Sequence, residues 1–191
     1  MKTKNTQHPT FLSSTIPNPK ERRSIIVYFI FTFCIAGAAI SLISFYYDHL
    51  MLIEEDHYKE FFKQFGSIAR VVYFAVLSIF PVFLLMKWKG LREVKWRNLE
   101  LKRPVQYVGR LLRKFHVPLA LLGTAIVIVH GTLAVIRDFH WDFTNVTGIL
   151  SSIVLCFLVY MGFKRFKRKD GAWHLKLAFI FTILFMIHAS F

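Results

Sequence analysis

Cysteine is nearly absent from this chain of 191 residues; only Cys34 and Cys156 carry a thiol. Each sits near the middle of an apolar stretch, where an exposed disulfide is out of reach, so both read as buried small hydrophobes. Acidic residues are scarce too, 11 against 25 Lys and Arg, for a formal charge of +14. No Gly-x-Gly-x-x-Gly or comparable phosphate-cradling fingerprint occurs, which argues against a dinucleotide domain within these residues. Tandem repeats and low-complexity tracts are missing as well, so neither a solenoid nor a solvated linker array is indicated.

What fills the chain instead is apolar residue in long blocks, 55% of the total, with 17% aromatic. Long blocks without a polar face suit lipid better than a water-facing helix. A helix needs about 20 largely apolar residues to cross the hydrocarbon core. Five stretches qualify, with helices expected over 25–47, 68–86, 117–136, 146–163 and 173–191. The expected fold is an all-α integral membrane bundle of about five transmembrane helices, with a loose polar tail over 1–23 and one membrane domain over 24–191. The first apolar run is longer than a cleavable leader's core and reads as a retained helix.

The positive excess is distributed unevenly. Five Lys and Arg precede the first stretch, ten lie between Lys87 and Lys114, and six between Lys164 and Lys176. Only Lys59, Lys63, Arg70 and Arg137 fall elsewhere. Such alternation is a topology signal, because cytoplasmic loops retain cations. It places the N-terminus in the cytoplasm and the C-terminus outside, in a plasma (inner) membrane. Anionic lipid accounts for the charge, and nucleic acid is not needed as a partner.

Two segments between spans carry an amphipathic pattern. From Asp48 to Ala69, acidic residues alternate with Tyr58, Phe61, Phe62 and Phe65 at helical spacing, as in a short helix lying on the outer surface. From Lys87 to Phe115, Trp88 and Trp96 sit among cations, as at the headgroup level. Asn145 precedes an apolar run and reads as a helix N-cap.

Histidine supplies the candidate chemistry. Four of the eight fall in two pairs, His116 with His130 on the third stretch and His174 with His188 on the fifth, both fourteen positions apart. Fourteen helical steps turn through about 1400°, some 40° short of four turns, and rise about 21 Å. Each pair therefore occupies one face of its helix, one member near each membrane surface. Helices three and five run in the same direction, so His116 falls level with His174 and His130 with His188. Neutral imidazole is a good axial ligand for haem iron, and two per iron leave no open position. Ionisable groups at membrane depth usually mark function. A proton relay does not require two registers of equal depth, and one zinc ion needs ligands three or four positions apart. No Cys-x-x-Cys-His occurs, so the expected cofactors are two non-covalently held haem b.

Residues around the pairs fit the same frame. Gly123 and Phe181 lie halfway between the ligands of their helices, one leaving room for flat macrocycles and the other offering a ring to fill the gap; helix packing and lipid contact are their ordinary alternatives. Arg110, Arg113, Lys114 and Lys176 gather at the inner level, where they would meet propionates or snorkel. Arg137, His140 and Trp141 stand at the outer end. His8, His49 and His57 read as surface residues. Pro118, two residues after His116, sets His116 at a kink or at the start of its helix.

With ligands on the third and fifth helices, each pair about a helix-length apart, the chain resembles the ferric-reductase-like transmembrane domain. That family includes ferric reductases, NADPH oxidases and the haem-binding membrane subunit of a bacterial methionine sulfoxide reductase system. The resemblance covers roughly residues 25–191 and implies electron transfer across the bilayer, from a cytoplasmic flavoprotein or from quinol to an extracytoplasmic acceptor. The family's sixth helix and a flavin or nicotinamide domain are expected to be absent, which implies an electron-transfer subunit of an oxidoreductase. A haem or proton transporter using the same histidines, or a membrane anchor of a redox complex, are the alternatives.

Overall fold

The computed structural model describes residues 11–92, 95–96, 99–137, 139–166, 169 and 172–190. His8, the first ten residues of the tail, the Trp96 side chain and much of the Lys164–Gly171 turn lie outside the described residues. The described residues form, in order, α1 Phe11–Thr15, α2 Pro19–Phe45, α3 Tyr47–Leu52, α4 Glu55–Leu77, α5 Ile79–Lys87, α6 Lys102–Arg137, α7 Phe143–Phe166 and α8 Trp173–Ser190. A 3-10 turn at Lys89–Arg92 and a two-residue antiparallel ladder, β1 Lys95–Trp96 with β2 Leu99–Glu100, separate α5 from α6.

Among the described residues, five helical stretches are long and apolar enough to cross a membrane: Pro19–Phe45, Glu55–Lys87, Lys102–Arg137, Phe143–Phe166 and Trp173–Ser190. The chain is a multi-pass membrane protein. Large apolar side chains such as Phe31, Phe33, Phe45 and Val71 stand exposed along these helices, which in water would be an aggregation hazard and in lipid is the required surface. The apolar window of α6 is 28% buried, against 11% for α2 and α8. Among the spans, α6 is therefore the most enclosed by protein.

The chain forms two compact units, one from residues 1–27 with 139–191 and one from 28–138. In the second, α4 and α5 pack along α6. Tyr58 and Phe62 of α4 join Val129 and Leu133 of α6 in a buried cluster bordered by Ala39, Ile43, Leu50, Phe65 and Ala134. The Tyr58 hydroxyl donates to the Leu133 carbonyl at 2.6 Å. Arg137 closes that end, its Nη1 donating to the carbonyls of Leu50 and Ile53 with its guanidinium 5.2 Å from the Tyr58 ring. A flat cation with several donors can serve two carbonyls and an aromatic face together.

Several elements differ from the expected ones. The amphipathic stretch after Asp48 is not a separate surface helix: α4 starts at Glu55 and runs unbroken into the second span. The interruption comes later, at Ser78, whose hydroxyl donates back to the Ala75 carbonyl. Pro81 brings no N–H for the carbonyl four residues earlier, and the helix restarts at Ile79. Pro118 is tolerated inside α6, so His116 lies well within a helix and not at its start. Asp142, not Asn145, caps α7: its Oδ1 accepts from the Asn145 N–H at 2.7 Å, while Asn145 donates its side-chain amide to the His140 carbonyl. The tail is not loose throughout, since α1 packs on α7 and Ile16 is fully buried. Cys34 and Cys156 are exposed on their helices and not buried.

In the other unit, α7 and α8 form an antiparallel hairpin. Ala172, just before α8, has a φ of 65°, a backbone region that costs a residue with a Cβ about 1 kcal/mol. Its carbonyl accepts the Lys176 N–H at 3.1 Å, so the strained residue helps start α8.

Candidate functional site

The four histidines are all half-buried on α6 and α8. His130, His174 and His188 each lie against a neighbouring helix of their own unit. On α6, the His130 ring lies against α4, with Nδ1 2.9 Å from the Phe62 carbonyl and the ring 5.7 Å from the Phe62 ring. On α8, the His188 ring lies against α7, with Nδ1 2.9 Å from the Thr144 carbonyl.

These two contacts decide the tautomer. A carbonyl oxygen only accepts, so Nδ1 carries the proton in both rings. In neutral imidazole Nε2 then keeps its lone pair. Metal-bound histidines are typically held this way, with the second nitrogen donating to a main-chain carbonyl.

Both contacts depend on a missing side chain. A Cβ at Gly66 would stand 3.0 Å from His130 Cε1, and one at Gly148 would stand 2.9 Å from His188 Cε1. Gly66 follows Phe62 by four residues, and Gly148 follows Thr144 by four. In a helix the carbonyl of residue i points toward residue i+4. Glycine there uncovers the oxygen, and an imidazole from the next helix can share it. Such sharing leaves the helix's own bond in place, because the carbonyl has two lone pairs.

His174 lies over Gly162, where a Cβ would be 3.7 Å from its Cε1. Nδ1 of both His116 and His174 is sealed from solvent. Gly148 and Gly162 are themselves fourteen residues apart, matching His174 and His188 across the hairpin.

Gly123 is buried midway between His116 and His130, but the space above it holds α4: a Cβ would meet Tyr73 Cζ at 3.1 Å and Val72 Cγ1 at 3.2 Å. It admits a neighbouring helix, the ordinary alternative to receiving a macrocycle. Tyr73, 2% exposed, points its hydroxyl to Thr124 Oγ1 at 3.3 Å, and Thr124 donates onward to the Ala120 carbonyl. Phe181 is 3% exposed and stacks on Phe185, ring centres 5.7 Å apart, so it does not face lipid. Arg110 and Arg113 are exposed on α6 before His116. Arg137 is committed to the Leu50 and Ile53 carbonyls. His49, His57 and His140 are exposed, and His57 pairs with Glu54 at 3.2 Å.

No family model matches the chain, and no curated protein or solved structure is detectably similar to it. Among the described residues, no three His, Cys, Asp or Glu side chains come together as donors for one ion. His130, His174 and His188 each lie over a glycine of a neighbouring helix, and His130 and His188 also reach a carbonyl there. Spacing had singled out the four histidines on α6 and α8. It had not identified Gly66, Gly148, Gly162 or the carbonyls of Phe62 and Thr144, although the Gly148 to Gly162 interval repeats the histidine spacing.

Proposed function

We propose that the chain is a dihaem b-type membrane cytochrome of the ferric-reductase-like kind, serving as the electron-carrying membrane subunit of an oxidoreductase. The observation that carries this reading is the twin lock on His130 and His188: Nδ1 held 2.9 Å from a main-chain carbonyl in each, with Nε2 left as a donor. A proton relay needs ring nitrogens that exchange partners, so rings fixed at Nδ1 favour a ligand over a relay. In the proposed pairing, His116 with His174 holds the inner haem and His130 with His188 the outer one. The pairing rests on equal spacing and on the parallel direction that the order of spans in the sequence implies for the two helices. Haem held between two of these histidines would supply one-electron chemistry. The residues themselves fix ring orientation, set ligand basicity through the Nδ1 bonds and exclude water with the apolar helix faces.

The proposed direction runs from a cytoplasmic flavoprotein or quinol to an extracytoplasmic acceptor, in the plasma membrane, with the N-terminus inside. A reduced-minus-oxidised optical spectrum of the purified chain tests the reading. Two low-spin b-type haems are expected per chain. His130→Ala or His188→Ala removes one, and His116→Ala or His174→Ala removes the other. A chain that carries no haem after expression with ample haem supply refutes the proposal.

A further inference from the structure

At the corner where α5 ends and α6 begins, a cavity of about 480 Å³ is lined by Met86, Lys87, Trp88, Lys89, Leu91, Lys102 and Gln106. Its construction is specific. Trp88 caps α5 through its N–H to the carbonyls of Leu84 and Leu85. Its indole lies over Gly90, where a Cβ would come within 2.8 Å of the ring. Met86 presses its sulfur against Gly109, where a Cβ would come within 2.6 Å, bringing α5 close to α6. Leu91 is 5% exposed and gives the cavity an apolar floor.

Among the described residues, the charged side chains lining it are all cationic. Lys87 lies 4.5 Å from the Phe83 ring centre, and among the described residues none of Lys87, Lys89 and Lys102 pairs with a carboxylate. The nearby Glu100 is engaged by Arg103 at 3.4 Å and does not line the cavity. Lys102 opens α6, whose first turn carries no acidic residue, so the positive end of the helix dipole adds to the three ammonium groups. Several cations gathered in one cavity favour an anion carrying several acceptor oxygens.

Position decides between sources of that anion. The cavity sits at the end of the Glu55–Lys87 span, where hydrocarbon gives way to headgroups. Its apolar members, Met86, Trp88 and Leu91, suit glycerol and the first methylenes of an acyl chain, which a free phosphate does not have. We infer that this corner is a binding site for one anionic phospholipid, with Lys87, Lys89, Lys102 and Gln106 on the phosphate and Trp88 against the glycerol region. The site is independent of the histidines and of any haem.

Native mass spectrometry of the full chain in mild detergent, titrated with phosphatidylglycerol or phosphatidylcholine, tests this. One phosphatidylglycerol binds per chain in preference to phosphatidylcholine, and excess inorganic phosphate fails to displace it. The variant Lys87→Gln, Lys89→Gln, Lys102→Gln binds it roughly a hundredfold more weakly, from about 1 kcal/mol per cation. The equally charged control Lys20→Gln, Arg22→Gln, Arg23→Gln binds as the parent does. Should the triple variant fail to fold, Lys102→Gln weakens binding while Lys102→Arg retains it. Equal loss in both triple variants, equal binding of the two lipids, or displacement by phosphate overturns the inference.

Discussion

A glycine hydrogen atom decides where an imidazole sits in this protein. Gly66→Ala and Gly148→Ala each put a methyl group about 3 Å from a histidine Cε1, so the ring must move off its carbonyl. Under the proposed reading, either change weakens one haem by about ten- to a hundredfold, as loss of a supporting hydrogen bond does at metal sites. The other haem is retained. Haem content and the optical spectrum of each variant check this, and unchanged content in both rules the glycine role out. The histidines were legible in the sequence because their equal spacing is a one-dimensional pattern. Their supports were not, because Phe62 and Thr144 contribute only a carbonyl, which every residue has. Gly123 shows the same limit from the other side: its midpoint position could be read, but whether a cofactor or the Tyr73 ring filled the space could not.

Among the elements, the apolar cores of all five spans fell where hydropathy put them, and so did several ends, but the second and third spans start well before the expected positions. Composition tells where hydrocarbon begins, but helices run on past it. α6 begins fifteen residues before the expected Val117: Pro104 falls in its first turn, where a missing N–H breaks no bond within the helix, and Pro118 is accommodated, as membrane helices allow. α4 similarly absorbed the outer amphipathic stretch, since Tyr58 and Phe62 gain a protein partner in α6 and need no membrane surface. Tyr58→Phe removes the bond to the Leu133 carbonyl and is expected to cost about 1 kcal/mol, read as a lower midpoint of thermal unfolding in detergent. At the opposite sign, Ala172→Gly relieves a left-handed backbone and is expected to raise stability by about 1 kcal/mol. If this variant is less stable than the parent, the φ of 65° is not what limits the start of α8.

For the whole molecule, an odd number of spans and cations gathered in alternate segments lead to an asymmetric prediction. A reporter fused after Phe191 and active only outside the cytoplasm is expected to work, and the same reporter at the N-terminus is expected to stay silent. The reverse result inverts the proposed inner and outer levels without disturbing the four histidines. The hairpin of α7 and α8 carries a consequence of a different kind. Its two glycine notches and two histidines are spaced identically, like matching marks on two rulers laid antiparallel. Residues inserted between the helices leave the marks aligned. One residue inserted between Gly148 and Gly162, or between His174 and His188, can satisfy one mark only by spoiling the other. Length variation in this hairpin is therefore confined to its connection, or must occur as a matched pair of changes, one in each helix.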